Sequence, residues 1–293
     1  MNGFFEKHPE YGYEIVKDNN EGEALNSNRK ELQESQIIFL IDSIYSSKSI
    51  TSNYAKELIN YFLQDASDEI KNRYKYIEKS DSVTRTNNAD IFYNIEQISE
   101  AMEKKKKIGF HYCDYDENRN LVPRKNSHTY ITTPRYLVSS NGTYYLLCDY
   151  RKLGRVIYKI NQMKDIEVRK EDGIPAEESK NYGPDFDLVK FVNEHIYLFN
   201  GDVIDVKFKI KEQENLTYVF DWFGQNASIT KDGDEYIVTA KVDETAFKYW
   251  AMQYLDVIEV LEPQSVRDYI VDTCRKAIKN HESLSENTEP SAE

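Results

Sequence analysis

The stretch Asn141-Gly142-Thr143-Tyr144-Tyr145-Leu146-Leu147-Cys148-Asp149-Tyr150 decides how the middle of this 293-residue chain folds. Asn-Gly is the strongest short-range hairpin signal, because both residues tolerate the positive φ that a two-residue turn demands. The run that follows it mixes three tyrosines with Leu146, Leu147 and Cys148, and so reads as a strand leaving the turn. Tyr144 and Tyr145 are neighbours, so they face opposite sides of whatever sheet they join. One then serves a core and the other a surface, and the local sequence leaves open which does which.

Outward from that turn the same period-two pattern continues. IGFHYCDYD (108–116), HTYITTPRYLVSS (128–140) and RVIYKINQMKDIEVRK (155–170) are all strand-like, with no helix-length segment among them. Four or five short strands of this kind predict a small antiparallel barrel or curled sheet over 107–170. Before it the chain reads as helical across 31–106. Ile37, Ile38, Ile41 and Ile44 keep near-helical spacing, Thr51 or Ser52 is an N-cap, and Asp68 to Glu78 continues the pattern. A polar linker spans 79–90. NIEQISEAMEKKKK (94–107) returns to helix, with Lys104 to Lys107 in a last turn where the helix dipole favours cations. Residues 171–200 form a polar connection with Pro175 and Pro184. Residues 201–281 then run strand, helix, strand, strand, helix, strand, helix, whose first six elements follow the ferredoxin-like plan. A tail at 282–293 reads as disordered. The fold class is therefore α+β.

Composition narrows the chemistry. The 23 tyrosines suit half-buried strands and binding surfaces equally well. Cys113, Cys148 and Cys274 are odd in number and match neither a disulfide framework nor a zinc spacing, which points to a reducing, cytoplasmic compartment. No signal peptide and no long apolar run appears, so neither secretion nor a membrane span is expected. The net charge is −13, yet residues 101–170 hold 15 Lys and Arg against 7 Asp and Glu. That basic segment reopens the possibility of an anionic partner. No nucleophile elbow, P-loop, dinucleotide fingerprint or metal spacing occurs, so no enzymatic activity, metal or cofactor is expected. His111 and His128 read as structural. Trp222 and Trp250 read as core or dimer-interface residues.

Four pieces carry a resemblance: FHYCDYD, YITTPRYLV, NGTYYLL and VIYKINQMKDI. Together they resemble the WYL domain, a small Sm-like (SH3-like) β-barrel of bacterial transcription regulators. Tyr144-Tyr145-Leu146 stands where the family has Trp-Tyr-Leu. Tyr158-Lys159-Ile160-Asn161-Gln162-Met163 stands where it usually has Phe-Arg-hydrophobic-Asp-Arg followed by Met or Ile. Lys159 thus replaces one arginine and Gln162 the other. Residues 203–280 resemble the C-terminal WCX-type extension that follows such barrels, and 31–78 the helices that precede them. Of the winged helix-turn-helix that opens these regulators, residues 1–30 match only the end, with Tyr11 to Val16 as a wing strand, or are simply a flexible start. The resemblance therefore implies either a truncated regulator or one without its own DNA reader.

It also implies a function. The barrel of such a ligand-sensing regulator binds a nucleotide or a single-stranded nucleic acid, and the C-terminal domain supports a homodimer. Duplex DNA would be a partner only through a complete winged helix. The candidate ligand-binding residues are Tyr112, Arg135, Tyr144, Tyr145, Lys159 and Gln162. Cations neutralise phosphate, and a tyrosine face stacks on a base for about 1–3 kcal/mol. Each residue has a plainer reading as strand packing or a solvated face. The alternative function is a stand-alone accessory protein that modulates a partner protein or defence complex without reading duplex DNA.

Overall fold

Three amphipathic segments build the N-terminal helices of the computed structural model. It describes residues 13–18, 22–27, 32–64, 66–75, 85–150 and 154–285, the two strands at 13–18 and 22–27 and residues 283–285 by backbone alone. Helices α1 (Glu34–Ser46), α2 (Ser52–Leu63) and α3 (Asp68–Arg73) bury Ile41, Ile59, Ile70 and Tyr74 in one small core. The Thr51 hydroxyl accepts from Tyr54 N at 3.3 Å, which makes Thr51 the cap of α2. Tyr74 secures the bundle by donating to Asp42 at 2.8 Å. Helix α3 stops at Arg73, and the expected continuation beyond residue 75 lies outside the described residues, as does the first half of the 79–90 linker. In the N-terminal stretch, β1 (Tyr13–Asp18) pairs antiparallel with β2 (Gly22–Ser27). These elements belong to one compact unit, residues 1–89; everything that follows belongs to a second, residues 90–293.

The second unit opens with α4 (Ile91–Glu103), whose Ile91, Ile98 and Ala101 are buried. The expected lysine-rich last turn is corrected here. Lys104 ends the helix, Lys105 adopts φ 53°, and Lys106 already begins a strand. A residue in the left-handed region stops an α-helix, and the alternating IGFHY pattern then takes over.

Strands β3 (Lys106–Tyr115), β4 (Leu121–Pro123), β5 (Thr129–Ser140), β6 (Thr143–Tyr150), β7 (Gly154–Lys159) and β8 (Met163–Asp172) form one antiparallel sheet. Its order is β4-β3-β5-β6-β7, with β8 also on β3. The predicted hairpin is present: Ser140 pairs with Thr143 around Asn141 (φ 50°) and Gly142 (φ 73°). In a flat sheet β3 and β7 would lie about 14 Å apart, three strand spacings. Their Phe110 and Tyr158 rings are 5.0 Å apart, so the sheet curls around its aromatic core. Among the described residues no ladder joins β7 to β8, so the expected barrel is an unclosed curled sheet. The short turn Ile160–Gln162 links the two strands.

The connection at 173–187 carries a turn at Ala176–Glu178 and leads into α5 (Leu188–Glu194). The C-terminal part follows as β9 (Val203–Lys211), α6 (Leu216–Phe223), β10 (Ala227–Asp232), β11 (Glu235–Asp243), α7 (Glu244–Gln253), β12 (Ile258–Glu262) and α8 (Gln264–Ser285). Its antiparallel sheet has the order β10-β11-β9-β12. Strict alternation along β9 sends Val206, Phe208 and Ile210 into a core with Val219, Phe247 and Trp250. Trp250 is thus a core residue, while Trp222 packs at its edge. Helix α8 runs on through Ser285, so the first residues assigned to the tail are helical.

Candidate ligand cleft

Curling of the sheet brings its rim against the segment that enters the C-terminal domain. Tyr145 on β6 pairs directly with Lys159 on β7, so both side chains leave the same face. Tyr112 comes from the inner face of β3 and reaches the end of β7. Its hydroxyl accepts from Lys159 N at 3.3 Å and donates to Gln162 Oε1 at 3.2 Å. Opposite them run Tyr197, Leu198, Phe199 and Asn200. With Ile157, Tyr112, Tyr145 and Lys159 they enclose a cleft of about 420 Å³, within the size range of small-molecule sites.

Arg155 holds the far wall in place. Its Nε donates to Asn200 Oδ1 at 2.7 Å and its Nη2 to Gly201 O at 3.2 Å, and its guanidinium lies 4.8 Å from the centre of the Phe191 ring. Asn200 Nδ2 returns a bond to Arg155 O at 2.8 Å. The amide of Asn200 is therefore spent on the clamp. Leu198 turns the wall back on itself with φ 50°, and its N–H reaches His195 O at 2.7 Å. The Tyr197 ring is buttressed by Trp222 at 4.7 Å, and Phe199 by Tyr249 at 5.6 Å.

The electrostatics are simple. Burial pushes the Tyr112 phenol above its ordinary range, against the opposing pull of the Lys159 N–H bond. Burial raises Tyr145 as well. Both remain neutral phenols at physiological pH, with aromatic faces and hydroxyls intact. Lys159 is exposed and enters no ion pair with the described residues. Other cations of the basic segment are less free. Lys104, Lys106, Arg124, Arg135, Lys164 and Arg169 are each paired with a carboxylate, so these six cations are neutralised locally.

Three of the six candidate residues, Tyr112, Tyr145 and Lys159, therefore meet in one cleft. Gln162 stands behind them with both ends of its amide engaged, on the Tyr112 hydroxyl and on Cys113 O at 3.2 Å. Arg135 is elsewhere. It pairs with Asp149 (Nε to Oδ2, 2.7 Å) and donates to Ile174 O at 2.8 Å, and it lines a different cavity. Tyr144 is exposed beside the hairpin turn and is not among the cleft residues. Tyr197 and Phe199 belong to the cleft but were hidden in a stretch that reads as connection. Their only signal in sequence is two aromatics spaced by two residues, which also describes ordinary core strand. Among the described residues no group of three His, Cys, Asp or Glu is placed to hold a metal, and no helix is long and apolar enough to cross a membrane.

Comparison with known proteins fits this layout. The family model of the WYL domain matches residues 93–168, and that of the WCX domain matches residues 202–278. Among solved structures, the chain is similar to proteasome accessory factor B/C (PafBC) of Arthrobacter aurescens. That match has 16% identity and a TM-score of 0.30, and covers 92% of this chain and 39% of that one. It is also similar to a CRISPR Cas-related protein, with 14% identity and a TM-score of 0.40, covering 68% of this chain and 54% of that one. The chain thus spans less than two thirds of either structure. No curated protein matches it. The WYL match takes in α4 as well as the curled sheet, and the WCX match falls on the β9 to α8 segment, so the chain carries a WYL domain followed by a WCX domain.

Proposed function

We propose that this chain is a ligand-sensing member of the WYL-type regulators, whose cleft takes a nucleotide or a short single-stranded nucleic acid. One observation carries the reading. Tyr112, Tyr145, Tyr197 and Phe199 line a single cleft together with the unpaired ammonium of Lys159. Aromatic faces stack on bases without regard to sequence, and a lone lysine at the rim supplies a phosphate contact. Gln162 in place of the family's second arginine leaves this cleft with less positive charge, which favours a short ligand over a long polyanion. The protein acts by binding rather than by catalysis. The strand order of the WCX part supports a ferredoxin-like domain, and the curled WYL sheet an Sm-like one. A homodimer through the C-terminal domain, with Val271 and Ile278 exposed on α8, would carry the bound state onward.

The test is a fluorescence-anisotropy titration with a labelled pentathymidylate, with cyclic dinucleotides as competitors. Saturable binding is expected. Tyr145→Ala and Lys159→Ala should each weaken it about tenfold, about 1.4 kcal/mol, while Lys170→Ala leaves it unchanged. Absence of saturable binding by every probe, or indifference to both cleft substitutions, would refute the reading.

A further inference from the structure

A second cavity, of about 660 Å³, lies away from the cleft, between the end of α4, the bulge in β5 and the connection at 172–182. Its apolar lining includes Met102, Pro134, Tyr136 and Ile174, and none of these residues borders the cleft. The connection is pinned over it by three bonds. Gly173 N donates to Lys105 O at 2.8 Å, Ile174 N to Thr133 Oγ1 at 3.0 Å, and Arg135 Nη2 to Ile174 O at 2.8 Å. The cavity is therefore a built feature, held open by hydrogen bonds that are fully made.

Its polar groups are unevenly satisfied. Lys106 is neutralised by Asp172 at 2.6 Å, and Arg135 is paired with Asp149 through Nε and Nη2. The Arg135 side chain is only 12% exposed, yet its Nη1 donates to nothing among the described residues. With Nε and Nη2 engaged, Nη1 is the guanidinium nitrogen of Arg135 left to meet an anionic acceptor, and a charge-assisted bond made there is a strong one. Lys105, turned out of the helix by its φ of 53°, adds an ammonium at the same cavity that enters no ion pair among the described residues. The one unpaired carboxylate on the lining is Glu177.

We infer that this cavity is a second binding site, for a small aromatic carboxylate whose ring lies against Met102, Pro134 and Tyr136 and whose carboxylate meets Arg135 Nη1 and Lys105. It is independent of the cleft and of the ligand proposed there. Cavity size and mixed lining match small-molecule sites in general, and charge-assisted bonds from a guanidinium and an ammonium to one carboxylate are stronger than neutral ones.

The experiment uses the full chain labelled with 13C at its methionine methyls, of which there are four. Met102 reports on the cavity, while Met163 in the sheet core is an internal control. Benzoate and 4-hydroxybenzoate are titrated against the isosteric neutral benzamide. A saturable shift of the Met102 methyl is expected, with a Kd of about 1 mM or tighter, together with movement of the Arg135 side-chain N–H signal. Benzamide should bind at least about fivefold more weakly, because it cannot exploit the charge-assisted bonds. Lys105→Ala should weaken benzoate by a similar factor, Met102→Trp should fill the cavity and abolish the shift of the Arg135 signal, and Lys170→Ala, outside the cavity lining, should change nothing. No saturable shift with either carboxylate, equal binding of benzamide, or benzoate binding that survives Met102→Trp would each overturn the assignment.

Discussion

Arg135 shows how much a single side chain changes meaning once its neighbours are known. Read along the strand it is a cation beside tyrosines. In the fold its partner Asp149 is only 5% exposed, and the two hold the connection to the sheet. Removing one member of a buried pair strands the other charge in a poorly solvated place. Arg135→Ala is therefore expected to cost about 3–5 kcal/mol in urea unfolding, with the Arg135→Met, Asp149→Leu double substitution recovering most of it. Recovery by the pair but not by the single change is the diagnostic outcome. His195 makes a second case at this scale. It is buried, its Nδ1 lies 2.9 Å from Phe191 O, and its ring stacks on Phe191 at 4.0 Å. Burial pushes its pKa below the ordinary 6.5, opposed first by the hydrogen bond to Phe191 O, helped by Arg155, and opposed less by Asp243. The unfolded chain then binds the proton more readily than the folded one. Stability from this residue is present above about pH 6.5 and is lost as pH falls through that value. Urea midpoints compared at pH 5.5 and 7.5 should diverge for the natural chain and converge for His195→Gln.

At the scale of elements, caps and turns decide where each segment stops. The hairpin at Asn141-Gly142 works because both residues accept positive φ, and it could be read directly from two letters. The tertiary bond that anchors the start of α7 could not. Asp243 caps it by accepting from Ala246 N at 2.8 Å and also takes Gly201 N at 2.6 Å from a segment far back in sequence. A Cβ on Gly201 would stand 2.6 Å from Asp243 Oδ2. Gly201→Ala should displace the cap and cost about 1–2 kcal/mol, seen as a lower Tm and as faster amide exchange in the first turn of α7. Unchanged exchange there would show that the cap tolerates the crowding. The lysine run at 104–107 belongs here too. Periodicity carried the helix through it, but Lys105 in the left-handed region ended α4 and gave Lys106 to β3.

For the whole molecule, contacts divide the chain at residues 89 and 90. The cleft and the second cavity both lie wholly in the second unit, and both border one packed cluster. Tyr136 and Tyr182 from the cavity side and Tyr145 and Leu198 from the cleft side share it with Val138, Leu147 and Phe191. A fragment of residues 90–293 is expected to unfold cooperatively and to bind pentathymidylate with the affinity of the full chain. A non-cooperative melt of that fragment would show that the first unit is needed for its stability.

The sequence by itself determined what depends on near neighbours: α-helix and strand periods, the Asn-Gly turn, the order of sheet, connection and mixed C-terminal domain, and the WYL and WCX likeness. It also required Tyr144 and Tyr145 to part company, since alternation is a property of any strand. Only the tertiary structure decided where each went. Tyr145 joined Lys159 and Tyr112 across the curled rim, while Tyr144 stayed outside at the turn. Arg135 was taken by Asp149, and Tyr197 and Phe199 arrived from a stretch that had no periodic signal. Those outcomes turn on which charges find partners and which rim a curled sheet presents, and both are settled by contacts between residues distant in sequence, which local patterns do not encode.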